Sequence, residues 1–189
     1  EVVDSLNLAL KGATRSGFAM SEARQLAGLS RNGLLGDLGE AYRSSSHDHD
    51  ENVAYLYKTL INTQSSADYL LRQSKVSRAA GDYPSTAFGR DLRQIAELIT
   101  ADTDTRIYYA SLTGFDTHAN QNGRQERLLQ QYAEGMSALV SDLKKHNLFR
   151  DTLILTFSEF GRRVEQNGSR GTDHGTANNL FLIGGGLRQ

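Results

Sequence analysis

The chain of 189 residues contains no cysteine, one proline and no excess of charge of either sign. Without cysteine it has no disulfides, no thiolate metal sites and no cysteine nucleophile. Its formal net charge of −1 argues against a basic nucleic-acid-binding surface and against a polybasic membrane-binding face. The longest apolar runs, such as 153–155, are far too short for a transmembrane segment. With 38% hydrophobic and 23% charged residues, the composition is that of a globular protein.

The first half of the chain has the hydrophobic period of helices. We predict a short helix over 21–26, where a serine is a suitable N-cap, and a longer helix over 51–73. A third amphipathic helix is predicted from apolar residues at steps of four, three and four, namely Phe88, Leu92, Ile95 and Ile99. Residues 1–101 are therefore expected to form a mainly helical segment.

Residues 102–189 change to the pattern of an α/β fold. The runs 107–112 and 152–157 are apolar without polar alternation, which is typical of strands buried on both faces. The amphipathic stretch 124–146 between them predicts a helix packed on the sheet. Strand, helix and strand with short joints form a βαβ unit, so the two strands are expected to be parallel. With 180–183 as a third candidate strand, we expect a parallel sheet with flanking helices.

The predicted sheet is incomplete. Three parallel strands leave edges with unpaired backbone groups, which native folds normally cover or extend. The chain also stops three residues after the glycine run 184–186. We therefore expect the two segments to be one incomplete piece of a longer α/β domain.

Carboxylates and imidazoles collect where the predicted strands end. In open parallel sheets, ligands bind beyond the carboxyl ends of the strands. The first strand runs into Asp116 and His118, and the second runs into Glu159. Asp173 and His174 lie just before the third strand. We expect these five residues to share one rim of the sheet.

The residue types on this rim suit a divalent cation. Asp116 and His118 are two apart, so in extended backbone they face the same side and offer the oxygen and nitrogen donors that zinc binds. Asp173 and His174 are adjacent, but flanking glycines permit a turn that brings both inward. We expect His174 to be a ligand and Asp173 to be either a partner of a ligand or a ligand to a neighbouring ion. Glu159 is a third candidate carboxylate ligand.

Three carboxylates on one rim need positive charge beside them. Grouping them without it in a partly buried site would cost on the order of several kcal/mol. A divalent ion removes that repulsion, and Arg162 or Arg163 can remove part of it. These arginines either hold an anionic substrate or are solvated. The competing interpretation is that the aspartates cap turns and helices while the histidines lie on the surface.

Three blocks of the second half resemble the signature of a known family. They are 114–118 (GFDTH), 157–163 (FSEFGRR) and 171–175 (GTDHG). In this order they resemble the bacterial family catalogued as domain of unknown function 1501, which is placed in the alkaline phosphatase and sulfatase superfamily. The resemblance covers about 88–186 well. It implies an α/β sandwich with a large central sheet and a binuclear metal site for phosphate or sulfate esters.

The resemblance also implies ligand roles, in one of two registers. Superfamily members often have an Asp-His-Gly block at the end of the strand that follows a helix. In the first register the tripeptide 173–175 is the Asp-His-Gly block, which it matches residue for residue. In the second register 158–161 is the corresponding block, because these residues follow the strand that comes after the helix. We prefer the second register, because the order of strands is harder to change than a tripeptide. In this register Glu159 takes the place of the aspartate and Phe160 takes the place of a histidine ligand. The residues that share one ion are then Asp116, His118 and His174.

From the resemblance we expect metal-dependent hydrolysis of a small anionic phosphate or sulfate ester. The cofactor is a divalent metal, zinc or else manganese or calcium, and Arg162 or Arg163 binds the anion. The superfamily nucleophile comes from a strand near the start of the domain; since no such strand precedes Asp116, we expect it to lie outside this chain. The alternative is a non-catalytic relative that serves as a metal-stabilised binding or surface-assembly module. The largely exported relatives imply a periplasmic or secreted location.

Overall fold

The structure is a computed structural model that describes residues 79–188 continuously, together with ten isolated helical positions before them. These positions are Gly33, Asp37, Glu40, Tyr57, Ile61, Ser65, Ser66, Asp68, Tyr69 and Arg72. The predicted helix over 21–26 lies outside the described residues, and that over 51–73 is described at seven of these positions, all helical. The described residues contain no helix with the length and apolar character of a membrane span.

The chain divides into two compact units. One combines Glu1–Arg78 with Glu97–Tyr109, and the other combines Ala79–Ala96 with Ala110–Gln189. All the residues that the sequence analysis selected as ligands or anion-binding groups belong to the second unit. A division of the chain at about residue 101 into a helical and a βαβ part stays a prediction.

Two α-helices and one 3₁₀ helix lie in the continuously described part. Helix α1 spans Ala87–Thr100, helix α2 spans Gln121–Lys145, and the 3₁₀ helix spans Phe149–Asp151. Thr86 caps α1, because its Oγ1 accepts a hydrogen bond of 3.1 Å from the backbone N–H of Gly89. Both α-helices lie where the hydrophobic period predicts them.

The core of the second unit forms where α1 meets α2. Phe88 and Leu92 of α1 are buried, and Gly135 of α2 gives them room, since a Cβ there would lie 2.9 Å from Leu92 Cδ1. The buried apolar residues that α2 contributes are Met136, Ala138, Leu139 and Leu143. Each large apolar side chain buried in this way contributes about 1.5–3 kcal/mol.

Two antiparallel strand pairs follow α2. Strand β1 (Ile154–Thr156) pairs with β4 (Phe181–Ile183), and the short strand β2 (Gly161–Arg162) pairs with β3 (His174–Gly175). In the second pair, Arg162 lies opposite His174. The β2–β3 pair therefore brings two of the predicted site residues together.

These strand pairs differ from the expected parallel arrangement. Within residues 79–188, the stretch 107–112 does not pair as a strand, and the stretch 152–157 meets 180–183 in antiparallel orientation. The reason is the path of the chain, which turns back through β2 and β3 before it returns beside β1. An alkaline phosphatase-like parallel sheet stays a prediction for the domain.

The β1–β4 pair is covered on one face, not on both. On the inner face, the hydroxyl groups of Tyr132 and Thr156 are hydrogen-bonded at 2.8 Å, and the Tyr132 ring lies 6.3 Å from that of Phe181. On the other face, Leu155 and Leu182 are 52% and 51% exposed. An apolar run shows that a strand can be buried, but the number of covered faces depends on which elements pack against it.

Tyr83 supports a buried carboxylate in α2. Asp142 is 1% exposed; its Oδ2 accepts a hydrogen bond of 3.0 Å from the Tyr83 hydroxyl, and its Oδ1 has no hydrogen-bond partner in the described part of the chain. Tyr83→Phe is expected to lower the free energy of unfolding by about 1–3 kcal/mol, because the buried carboxylate loses a donor. Equilibrium urea unfolding measures this, with Tyr109→Phe, at a 40% exposed tyrosine, as the control. Equal effects of the two variants would contradict the prediction.

Candidate metal centre

Two loops of the second unit carry the site. The first loop, residues 114–120, runs into α2 and contains Asp116 and His118. It begins at Gly114, whose φ of 103° lies in the left-handed region that favours glycine. The second loop, residues 167–175, ends in β3 and contains Asp173 and His174.

Hydrogen bonds join the two loops at the start of α2. The backbone N–H groups of Asn120 and Gln121 each donate at 3.0 Å, to the carbonyl oxygens of Ser169 and Arg170 respectively. The Thr172 hydroxyl donates at 2.8 Å to Oε1 of Gln121, which is itself buried. The second loop thus accepts bonds from N–H groups that a helix start leaves without intrahelical partners.

Gly171 lies directly against the backbone of the first loop. A Cβ at this position would lie 2.7 Å from the amide nitrogen of Ala119 and closer still to the carbonyl group of His118. From the sequence alone, the glycines around Asp173 are expected to permit a turn. In the structure Gly171 has a different role. Among the described glycines only Gly114 has a positive φ, so the backbone conformation of Gly171 is not one that requires glycine. Gly171 permits close approach of two backbones.

Three side chains from the two loops converge on one point. His118 Nε2 lies 3.0 Å and His174 Nε2 lies 2.8 Å from the same oxygen, Oδ1 of Asp116. One ligand atom from each residue lies within 4.8 Å of the other two. The side chains are 48–61% exposed. The group is therefore open to ions and small molecules from solvent.

The donor set of these three residues fits a divalent cation. One carboxylate oxygen and two imidazole nitrogens are a common ligand set for zinc, whereas calcium and manganese prefer more oxygen ligands. With zinc–ligand bonds of about 2.0–2.1 Å, neighbouring ligands in a tetrahedral site are about 3.3 Å apart. The two distances to Asp116 Oδ1, 2.8 Å and 3.0 Å, are a few tenths of an ångström shorter than that value, and all three ligand atoms lie within 4.8 Å of one another.

Asp173 supports His118 from the far side of its ring. Asp173 Oδ1 lies 3.4 Å from His118 Nδ1, while His118 Nε2 faces Asp116. A carboxylate on one ring nitrogen holds a proton there, which leaves the lone pair of the other nitrogen for an ion. Of the two roles that the sequence left open for Asp173, the geometry favours that of a partner to a ligand.

Asn167 is a site residue that the sequence analysis missed. Its Nδ2 donates to the carbonyl oxygen of His118 at 3.0 Å and to Oδ1 of Asp173 at 3.1 Å. Its Oδ1 accepts from the backbone N–H groups of Ser169 and Gly171, each at 3.0 Å. The Asn-Gly dipeptide that it begins is a signal for a turn but not for a contact between loops.

The neighbours of both loop aspartates lower their pKa values. For Asp116 the main cause is the hydrogen bond with His174, followed among the lowering effects by the positive charges of His174 and His118. For Asp173 it is the hydrogen bond from Asn167, followed by that of His118. A pKa below the ordinary carboxyl value keeps both groups ionised at neutral pH, the form in which a carboxylate binds a cation.

A family profile described as "Protein of unknown function (DUF1501)" matches residues 22–189. The chain belongs to this family. The match contains both loops and all the residues of the site. No curated protein and no solved structure matches the chain. Membership of DUF1501 carries no activity with it, so a function has to be argued from the geometry.

The middle block of this DUF1501 chain supplies support for the site. Glu159 lies between β1 and β2, is exposed, and is not part of the converging group. The ring of Phe160 stacks on that of His174, with centroids 4.4 Å apart and planes 15° apart. Phe160, at the position where the resemblance implies a histidine ligand, thus packs against the candidate ligand His174. The described residues of this family member gather one group that could hold an ion, and a binuclear site stays a prediction.

The two arginines of the middle block have different surroundings. The guanidinium group of Arg162 is 17% exposed and donates to three backbone carbonyl groups, those of Phe115, Thr117 and Thr172. Arg163 is exposed, and its positive charge is among the causes of the low pKa of Asp173. Both arginines line a shallow depression of about 390 Å³ beside β2 and β3. Of the two residues expected to bind an anion, Arg163 has the more accessible charge.

Proposed function

We propose that this chain carries the metal centre of a metal-dependent hydrolase of phosphate or sulfate esters, of the alkaline phosphatase and sulfatase type, and that the nucleophile is supplied from outside the chain. The observation that carries the proposal is the convergence of Asp116, His118 and His174, from loops more than 50 residues apart, on one exposed point. Three protein ligands leave a coordination position open, which is typical of catalytic zinc sites, while closed structural sites have four.

Different residues of the chain would have different roles at such a site. When bound, a divalent ion supplies Lewis-acid polarisation of an ester oxygen and makes water more acidic. Asp173, 3.4 Å from Nδ1 of His118, would hold the ring proton on that nitrogen when an ion is bound, so that Nε2 could bind the ion. Phe160 fixes the ring plane of His174 by stacking. The exposed charge of Arg163, next to β2, attracts an anionic ester.

Metal loading and ester hydrolysis test the proposal together. The full 189-residue chain, stripped with chelator and titrated with zinc, is expected to bind one ion per chain. The longer protein that includes the nucleophile is then expected to release 4-nitrophenol from 4-nitrophenyl phosphate or sulfate only when it is loaded with zinc. His118→Ala should lower zinc affinity by more than about 100-fold, because it removes a ligand and not merely a ligand's partner.

His146→Ala is the matched control for this experiment. His146 is exposed and follows the last residue of α2, so its loss should change neither zinc affinity nor hydrolysis. A zinc-loaded longer protein, with the nucleophile segment present, that hydrolyses neither class of ester would contradict the hydrolase proposal.

One observation favours a second candidate, a non-catalytic binding or surface-assembly module stabilised by its ion. The three ligands join two loops that are distant along the chain, as the ligands of a structural ion do. For such a module, free zinc at about 100 times its dissociation constant adds about 2.7 kcal/mol of stability. A melting temperature that falls sharply with chelator, in a chain without hydrolytic activity, would favour this candidate.

A further inference from the structure

We propose that Arg162 is a positioning residue that holds the two ligand-bearing loops at the spacing needed for one ion. The proposal rests on the proposed metal function, which it deepens by naming the group that sets the geometry of the centre. Arg162 does not belong to the three converging ligands, and its effect passes through the backbone of the loops that carry them.

The hydrogen bonds of Arg162 connect both loops. Its Nη2 donates to the carbonyl oxygen of Phe115 at 2.6 Å and its Nη1 to that of Thr117 at 2.7 Å, so the two bonds flank Asp116. Nη1 also donates to the carbonyl oxygen of Thr172, two residues before His174. One planar guanidinium group therefore fixes the backbone on both sides of one ligand and just before another.

The position of Arg162 is itself fixed by strand pairing and stacking. In the β2–β3 pair it lies opposite His174. Its Cζ lies 5.1 Å from the ring centroid of Phe160, whose ring in turn stacks on His174. At 17% exposure, Arg162 is far less accessible than the three ligand side chains at 48–61%. The guanidinium is thus held between the loops.

A purely electrostatic role for Arg162 predicts the opposite result from a positioning role. Arg162 Nη2 lies 3.9 Å from Asp116 Oδ1, so its positive charge is close to the point where a cation binds. If charge were its main effect, removing it would strengthen cation binding. If it positions the loops, removing it weakens cation binding, because the ligands lose their common spacing. The sign of the change separates the two roles.

The experiment titrates the full chain with Co²⁺, whose visible absorption reports ligand number and geometry. Arg162→Met is expected to bind Co²⁺ about 10- to 100-fold more weakly and with an altered absorption spectrum. The control is Arg163→Met, which removes an equal positive charge at the next residue. This variant should bind Co²⁺ as tightly as the wild type or more tightly. Arg162→Lys keeps the charge but not the fork of donors, so it should restore affinity only in part.

A metal-free measurement separates failure of this proposal from failure of the proposed function. Hydrogen exchange is followed by mass spectrometry in the chelator-treated chain, over peptides covering 115–121 and 167–175. Arg162→Met is expected to speed exchange in both segments and leave 130–145 of α2 unchanged, whereas Arg163→Met speeds neither. If the wild type binds no Co²⁺, the proposed function fails while the exchange result still decides the role of Arg162.

Two results would overturn the proposal. The first is Arg162→Met binding Co²⁺ as tightly as the wild type with the same spectrum, and the second is unchanged exchange in both loop segments. If Arg162→Met does not fold, Arg162→Lys is compared with Arg163→Lys in the same measurements. Equal Co²⁺ affinity and equal exchange in those two variants would likewise refute a positioning role.

Discussion

Replacing Asp116 by alanine is expected to lower zinc affinity by at least about 1,000-fold, more than the 10- to 100-fold typical of losing a partner behind a ligand. The reason is that Asp116 Oδ1 is the atom both imidazoles approach, at 3.0 Å and 2.8 Å. It is also the one anionic donor of the converging group. Two neutral imidazoles alone offer the ion neither that charge nor the third ligand.

Zinc competition with a chromophoric chelator measures this change in the full chain. The control is Asp151→Ala, which removes an exposed aspartate from the 3₁₀ helix after α2 and should leave zinc affinity unchanged. Because the Asp116 side chain is 61% exposed, the metal-free variant should keep the circular dichroism spectrum of the wild type. Zinc binding by Asp116→Ala at the level of Asp151→Ala would show that the three residues do not form a metal centre.

Gly171→Ala is expected to have the second largest effect, through the backbone. The new Cβ would overlap the carbonyl group of His118 and lie 2.7 Å from the amide nitrogen of Ala119. These neighbours are backbone atoms, so the two loops have to separate. We expect a loss of about 1–3 kcal/mol in the free energy of unfolding, as for other overpacked sites. Zinc affinity should fall by about 10- to 100-fold, because the ligands on the two loops move apart.

The same loop provides a matched control for Gly171→Ala. Gly168 has no atom within 4 Å of an added Cβ, so Gly168→Ala makes the same chemical change in open space. Urea unfolding of the metal-free chains and zinc competition should both separate the two variants. If Gly171→Ala and Gly168→Ala behave alike in both measurements, the close approach of the loops is not required.

These two predictions distinguish the chemistry of the centre from its placement. Asp116→Ala removes a donor and its hydrogen bond with His174, and it leaves the backbone contact of Gly171 with the first loop intact. Gly171→Ala keeps every donor and changes the distance between the loops. Weak zinc binding in both, with loss of metal-free stability only in the second, is the pattern expected if the loops form a centre whose spacing the backbone sets.

The sequence could nominate Asp116, His118 and His174 as candidate ligands because their signals are local. The spacing of Asp116 and His118 puts two donors on one face of an extended segment, and the signal needs no knowledge of the rest of the chain. The helix around Phe88 was predictable for the same reason, because the spacing of its apolar residues repeats within a few turns. Such short-range patterns determine residue types, helices and candidate ligands.

Other features of the centre were decided by contacts between distant segments. The direction in which β4 meets β1, the bonds of Asn167 to both loops and the backbone contact of Gly171 depend on the path of the chain between them. The same holds for Arg162, whose sequence position next to Arg163 made the two look equivalent. The sequence by itself determined which groups are available to bind an ion, whereas the tertiary structure decided which of them converge and which hold the others. The physical reason is that strand pairing and hydrogen bonds to backbone carbonyl groups depend on where remote segments lie, which no local pattern specifies.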